Sequence, residues 1–299
     1  MRHWGSFLLA VLLLASCATP ARYRRGMESA EIEAMSPVPG RLKAVEYPSS
    51  ERRLDHRRMT VYLPEGYDAD TTRRYPVLYL LHGARGNETT WISAGEALKT
   101  LDSLRARQEI RDLILVLPNA NCYFSDKDYN NGHAIQATRA FWIVDGEMEV
   151  HFMQDVVAYV DRHFRTIATK EGRAIAGMST GGLQALYLSA NNPDAFDAVG
   201  LFSAYAANTF AGLAHPDFYC GLRRKQRRQF AAPPSHYHII IGRKDIFYPH
   251  MRLYDRRLTR QGYPHEMTVT PGGHRWTNWR NFLVSFYKEV YGIAPSAEE

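Results

Sequence analysis

Ala174-Ile175-Ala176-Gly177-Met178-Ser179-Thr180-Gly181-Gly182 is an apolar run that ends on Gly-x-Ser-x-Gly, and the helix-like Leu183-Gln184-Ala185-Leu186-Tyr187-Leu188 follows it directly. A strand that turns at once into a helix forces its turn residue into strained backbone space. Small residues two before and two after let the two backbones close on each other. Ser179 falls at that turn. Its Oγ is expected to stand clear of the sheet, with the new helix N-terminus behind it and backbone N–H groups nearby to hold a developing oxyanion.

A serine hydroxyl is a weak nucleophile until a base takes its proton, so the turn implies a histidine and an acid elsewhere. In an open α/β sheet those groups come from loops at the carboxyl ends of later strands. Asp245 follows the apolar Ile239-Ile240-Ile241 through Gly242-Arg243-Lys244, and His274 follows Glu266 to Thr270 through Pro271-Gly272-Gly273. The order Ser179, Asp245, His274 is that of α/β-hydrolases. Rivals have less context: His236 and His238 lie inside a strand pattern, His250 and His265 lie near turns, and Asp255 is the nearest competitor of Asp245. Two backbone N–H groups are expected to form the oxyanion hole, that of Thr180 and that of Ala84 after His82-Gly83. His82 itself reads as a packing residue that fixes this loop.

Outward from the turn, strand and helix signals alternate. Tyr75 to Leu81, Leu113 to Leu117, Ala198 to Phe202 and Tyr237 to Ile241 are continuous apolar runs, as strands covered on both faces require. Leu42 to Tyr47 and Arg58 to Leu63, separated by the charged Glu51 to Arg57, suggest a hairpin or meander. Glu147 to Phe164 has a helical pattern in which Val150, Met153, Val157, Val160 and Phe164 recur at three- and four-residue steps. Trp276 to Tyr291 is expected to be the last helix. Such alternation argues for a mostly parallel sheet sandwiched by helices.

Length and composition agree with one large α/β domain: 299 residues, 45% hydrophobic and 23% charged. The formal charge of +6 is modest and suggests an anionic neighbour without specifying one. There is no His-Glu-x-x-His, no paired Cys-x-x-Cys, no Gly-x-Gly-x-x-Gly after a strand and no phosphate-binding loop, and serine acyl transfer requires no metal or cofactor. Arg223-Arg224-Lys225-Gln226-Arg227-Arg228 reads as a solvated helix face, with contact to anionic lipid or polysaccharide as the alternative. No nucleic-acid-binding module accompanies it.

Five blocks in order carry a resemblance to a known family: Tyr79-Leu80-Leu81-His82-Gly83 with Trp91, Val116-Leu117-Pro118-Asn119, Gly177 to Gly182, Gly242-Arg243-Lys244-Asp245 and Gly273-His274-Arg275-Trp276. Residues 42 to 292 resemble the esterase D type of esterase. That group includes tributyrin esterases, the feruloyl and acetylxylan esterases of carbohydrate esterase family one, enterochelin esterases and mycobacterial mycolyltransferases. The resemblance implies an α/β-hydrolase fold with a central sheet of about eight strands. It also implies Ser179 as nucleophile, Asp245 as acid, His274 as base, Ala84 and Thr180 as oxyanion donors, and Trp276 as a residue shaping the pocket beside His274. The chain departs from the group's pattern at 121–147, with Tyr123, Phe124, Tyr129, Phe141 and Trp142, and at 204–237, with Phe210, Phe218, Tyr219 and Cys220. Insertions there border the pocket in this fold, so Tyr123 and its neighbours are expected to bear on substrate choice. Acetyl or feruloyl esters on carbohydrate are the leading substrates by family analogy. A sugar acyltransferase, an enterochelin-type siderophore esterase and a non-catalytic surface-binding lipoprotein are the alternatives.

The N-terminus reads as a targeting segment. Met1-Arg2-His3 precedes the apolar Phe7 to Leu14, too short to remain as a membrane span, and Leu14-Ala15-Ser16-Cys17 resembles a bacterial lipobox. Residues 1–17 are expected to be a lipoprotein signal peptide with Cys17 acylated, 18–40 a tether and 41–295 the catalytic domain. Ala18 rather than Asp after Cys17 suggests the outer membrane, facing the periplasm. An exported chain could pair Cys122 with Cys220; two buried thiols are the alternative.

Overall fold

The computed structural model describes residues 27–123, 146–206 and 211–293. The segment read as a signal peptide, with Cys17, and the aromatics Phe124, Tyr129, Phe141, Trp142 and Phe210 lie outside the described residues. Eight strands form one sheet in the order β1-β2-β4-β3-β5-β6-β7-β8. They are β1 (Leu42–Pro48), β2 (His56–Tyr62), β3 (Val77–Leu81), β4 (Ile114–Pro118), β5 (Arg173–Met178), β6 (Ala198–Phe202), β7 (His236–Gly242) and β8 (Glu266–Thr270). Strands β3 to β8 run parallel, and the β1–β2 hairpin joins antiparallel to β4.

The apolar runs explain this arrangement. In β3, Val77, Tyr79 and Leu81 face one core while Leu78 and Leu80 face the other; Ile239, Ile241 and Ile240 divide the same way in β7. A strand that buries both faces has no polar alternation to show. Helices α1 (Ser29–Glu33), α2 (Thr90–Ser93) and α3 (Ala97–Ala106) cover one face with the last helix. On the other lie α4 (Glu147–Phe152), α5 (Ala158–His163), α6 (Thr180–Asn191), α7 (Leu222–Gln229) and α8 (Tyr248–Arg260). The last helix, α9 (Trp276–Tyr291), sets Phe282, Leu283 and Phe286 against the first face.

Two sequence expectations are corrected here. The first concerns the tether: Met27 onward already belongs to the fold. Ile32 is buried in the core, Glu31 caps the backbone N–H of Glu28, and the Arg58 guanidinium donates to the Met27 carbonyl. The second concerns the 147–164 helix, which is broken by a π-helical stretch, Met153–Val157. The wider turn rotates the face that follows it, so the buried set is Met148, Glu149, Phe152, Val156, Val157 and Val160. Val150 is left 41% exposed.

The chain passes from β3 outward to β4 and then back across β3 to β5, so β3 and β5 are neighbours from which connections leave in opposite directions. A crevice opens outside the carboxyl ends of the strands at such a reversal. The loop after β3 begins at His82, and the turn after β5 is Ser179.

Candidate active site

Ser179 has φ 55° and ψ −117°, a conformation that costs a non-glycine residue about 1–3 kcal/mol and persists only when its surroundings enforce it. They do so here. The Ser179 N–H donates to the Phe202 carbonyl of β6 at 2.9 Å, and its carbonyl accepts the Leu183 N–H at 3.1 Å. A Cβ on Gly177 would lie 2.4 Å from the Gly181 backbone, and one on Gly181 would lie 2.4 Å from the His82 carbonyl oxygen. The strand, the helix and the loop after β3 therefore meet at backbone contact, which the flanking glycines permit.

The three residues read as a triad are brought together. Ser179 Oγ is 3.0 Å from His274 Nε2, and His274 Nδ1 is 3.0 and 3.2 Å from the two oxygens of Asp245. The carboxylate only accepts, so Nδ1 carries the imidazole proton, and the Nε2 lone pair receives the serine O–H. The Asp245 side chain is wholly buried, and its Oδ1 also accepts the Phe247 N–H at 2.9 Å. Backbone bonds from Arg243 to Thr270 and from Lys244 to Gly272, both 2.7 Å, zip the loop after β7 to the loop after β8. The Asn278 side chain donates to the Gly273 carbonyl at 2.8 Å and ties the histidine loop to α9.

Competing residues have other work. Asp255 accepts from Arg252 at 2.9 Å and contacts His265 at 3.3 Å. His236 and His238 share the Glu289 carboxylate at the other end of β7. That pairing draws the Glu289 carboxyl down to about 2 against the opposing effect of burial, and its hydrogen bond raises His236. Glu266 approaches His238 from its other nitrogen, Nε2, at 3.6 Å.

Thr180 opens α6, so its N–H has no intrahelical acceptor. A Cβ on Gly83 would lie 3.4 Å from the Ser179 Cβ, which brings the loop holding Ala84 against the nucleophile turn. His82 is buried, with Nδ1–H donating to the Gly83 carbonyl at 2.8 Å and Nε2 accepting the Ala120 N–H at 2.9 Å. Burial lowers its pKa to about 4. It is a neutral strut between the loops after β3 and β4.

Trp279 meets His274, with ring centroids 4.8 Å apart at 89°. Trp276 stands one layer out, edge-on to Trp279 and Trp91. On another side of His274, Phe247 lies edge-on at 5.3 Å, and Tyr205 packs on Phe247 at 4.7 Å. The Tyr205 hydroxyl is hydrogen-bonded to the Thr180 side chain, and burial pushes it up to about 12. Spacing one turn along α9 could have flagged Trp279; nothing in the sequence pointed to Phe247 or Tyr205. Tyr123 is buried with Leu54, its hydroxyl donating to Asn119 Oδ1 at 3.1 Å beside the Arg57–Glu51 ion pair. Cys122 is buried, Cys220 is exposed, and no disulfide joins them.

Residues 50–237 match the family model described as "Putative esterase". The chain is 34% identical over 236 residues to an endo-1,4-beta-xylanase/feruloyl esterase of Xylanibacter ruminicola, covering 77% of this chain and 29% of that protein. It is 28% identical over 170 residues to endo-1,4-beta-xylanase Y of Acetivibrio thermocellus, covering 53% and 14%. The chain thus spans less than a third of either relative. Among solved structures, a ferulic acid esterase superposes with a TM-score of 0.66 at 23% identity, covering 84% of this chain and 98% of that one. A ferulic acid esterase from Anaeromyces mucronatus superposes with 0.63 at 21%, covering 90% and 95%. At those identities the superpositions speak for the α/β-hydrolase fold.

Proposed function

The chain belongs to this esterase family, and from that premise we propose that it cleaves carboxylic esters through an acyl-enzyme on Ser179, with acetyl or feruloyl groups on carbohydrate as substrates. The observation that carries the reading is the 3.0 Å approach of Ser179 Oγ to His274 Nε2, with the opposite nitrogen held by Asp245. Ser179 Oγ attacks the ester carbonyl as His274 takes its proton. The N–H groups of Thr180 and Ala84 receive the charge that develops on the carbonyl oxygen. The tetrahedral adduct collapses by breaking the bond to the alcohol, which leaves with the proton from His274. Water, deprotonated by His274, then attacks the acyl carbonyl, and the carboxylic acid departs from Ser179. Asp245 stabilises the imidazolium in both halves. Carbohydrate as the alcohol is supported by the names of the relatives, which join xylanase to feruloyl esterase.

Hydrolysis of p-nitrophenyl acetate and methyl ferulate by the full chain, beside Ser179→Ala, tests this. Loss of at least about a thousandfold in the variant is expected, since triad members act as a unit. Equal, slow turnover by both proteins would overturn it. We also propose, from the lipobox reading, that Cys17 carries the lipid anchor; Cys17→Ser should move the protein from the membrane fraction to the soluble fraction of expressing cells.

A further inference from the structure

The exposed flank formed by α7 and α8 is built of arginines. Arg223, Arg224, Arg227 and Arg228 on α7, and Arg256 and Arg260 on α8, are solvent-exposed. Between the two helices the acidic residue is Asp255, taken up by Arg252 and His265, and among the described residues no ion pair involves those six arginines. Between the helices runs a groove of about 390 Å³ lined by Arg223, Leu253, Arg257, Arg260 and Gln261. Leu253 is 61% exposed beside it.

The groove is held in shape from behind. Arg257 donates to the Gln226 side chain at 2.5 Å, Gln226 bonds the Tyr254 hydroxyl, and Lys225 is drawn inward to the carbonyls of Asp217 and Phe218. The inner face of α7 is thereby spent on anchoring, and its outer arginines are left for solvent or a ligand.

We propose that this groove is an accessory site for carboxylate-bearing polysaccharide, gripping an acidic sugar while an ester on the same polymer lies at Ser179; it rests on the ester-hydrolase reading. Guanidinium forks match carboxylates in a planar, two-point geometry that an ammonium cannot reproduce. Gln261 offers an amide to hydroxyls, and Leu253 offers an apolar surface to the face of a sugar ring. Position links the groove to the site. Phe247, at the start of α8, lies against His274, and the groove residues on α8 follow 6 to 13 positions later, about 9–20 Å along the helix at its usual rise. A polymer covers that distance within a few sugars. The lining fits other polyanions less well: it has no aromatic ring for stacking nucleic-acid bases, and a single leucine beside a recess is not the broad apolar face of a membrane-lying helix.

The test is affinity electrophoresis of the full chain through gels containing glucuronate-substituted xylan, neutral arabinoxylan or no polymer, with Arg223→Gln/Arg260→Gln beside wild type. Flotation with phosphatidylglycerol vesicles is run in parallel, and melting temperatures establish that both proteins fold. Retardation by the acidic xylan alone is expected, weakened at least about tenfold in the double variant and by added salt. Equal retardation of wild type and variant, or none by acidic xylan, would overturn the proposal. Vesicle binding that the substitutions abolish, without xylan binding, would also overturn it and assign the surface to lipid. Hydrolysis of p-nitrophenyl acetate by wild type separates the two readings, because xylan binding by a protein inactive on every ester would sink the hydrolase and leave the groove.

Discussion

His82 Nε2 accepts the Ala120 backbone N–H at 2.9 Å, so a buried imidazole joins the loop that follows β3 to the loop that follows β4. Its other nitrogen donates to Gly83, whose backbone lies against Ser179. The ring is neutral by its bonding, and it positions the loop that carries Ala84 without touching the triad.

His82→Gln keeps an acceptor in reach of Ala120 and loses the donor to Gly83. An oxyanion loop set loosely weakens transition-state binding more than substrate binding. We expect kcat on p-nitrophenyl acetate to fall about tenfold with KM within about twofold. An unchanged kcat in a folded variant would show that the strut has no bearing on the site.

The same residue gives a pH dependence of stability. Burial depresses the His82 pKa from its ordinary 6.5 to about 4, so the unfolded chain binds this proton first. Stability is therefore lost as pH falls from about 6.5 toward 4, by an amount on the order of 3 kcal/mol at the lower end. His236, raised by Glu289, has the reverse sign: its contribution is complete below 6.5 and lost as pH rises through its raised value. Glu289, lowered to about 2, contributes fully above about 4.5. Neither changes much between 4.5 and 6.5. Glu88, raised by burial, partly opposes His82, so the comparison is between proteins. Urea titrations across pH 4.5–6.5 should show a shallower acid slope in His82→Gln than in wild type; parallel slopes would refute the assignment.

The nucleophile turn tolerates no side chain on its inner wall. Gly181→Ala would set a Cβ 2.4 Å from the His82 carbonyl oxygen and 2.6 Å from that of Leu81, both backbone atoms of the central sheet and its loop. Activity should fall at least about a hundredfold, with stability lower by about 2 kcal/mol or more from overpacking. Wild-type turnover in this variant would mean that the elbow moves more freely than its contacts imply.

What the sequence makes legible follows from how each element is buried. Strands β3, β4 and β6 are covered on both faces and so announce themselves as unbroken apolar runs, β5 and β7 do so beyond Arg173 and His238, and Ser179, Asp245 and His274 stand close to glycines that a tight turn needs. The 147–164 helix departs from its apolar spacing because that spacing assumes 3.6 residues per turn throughout. The π-helical stretch at Met153–Val157 shifts the register, exposing Val150 and burying Glu149. Phe247 and Tyr205 carry no signal for another reason: a ring that braces an imidazole has the same sequence signature as one that fills a core. Ile32 shows the converse: in a charged stretch it seats a short helix on the core, with Met27 and Met35 packed beside it.

Asp245→Asn isolates the role of proton placement. The asparagine oxygen can still accept the Phe247 N–H, which turns the amide nitrogen toward His274 Nδ1. An N–H donor at that position favours the imidazole tautomer with Nδ1 as acceptor and the proton on Nε2. Nε2 then has no lone pair for the Ser179 hydroxyl, although the 3.0 Å contact is retained in outline. We expect kcat to fall about a thousandfold or more near neutral pH, while the melting temperature stays within a few degrees because volume and the Phe247 bond are preserved. Steady-state kinetics on p-nitrophenyl acetate beside thermal unfolding checks both halves. A variant that kept a tenth of wild-type activity would show that Asp245 does not govern the tautomer, and a variant that lost activity only by unfolding would leave the question to His274→Gln in the same assay.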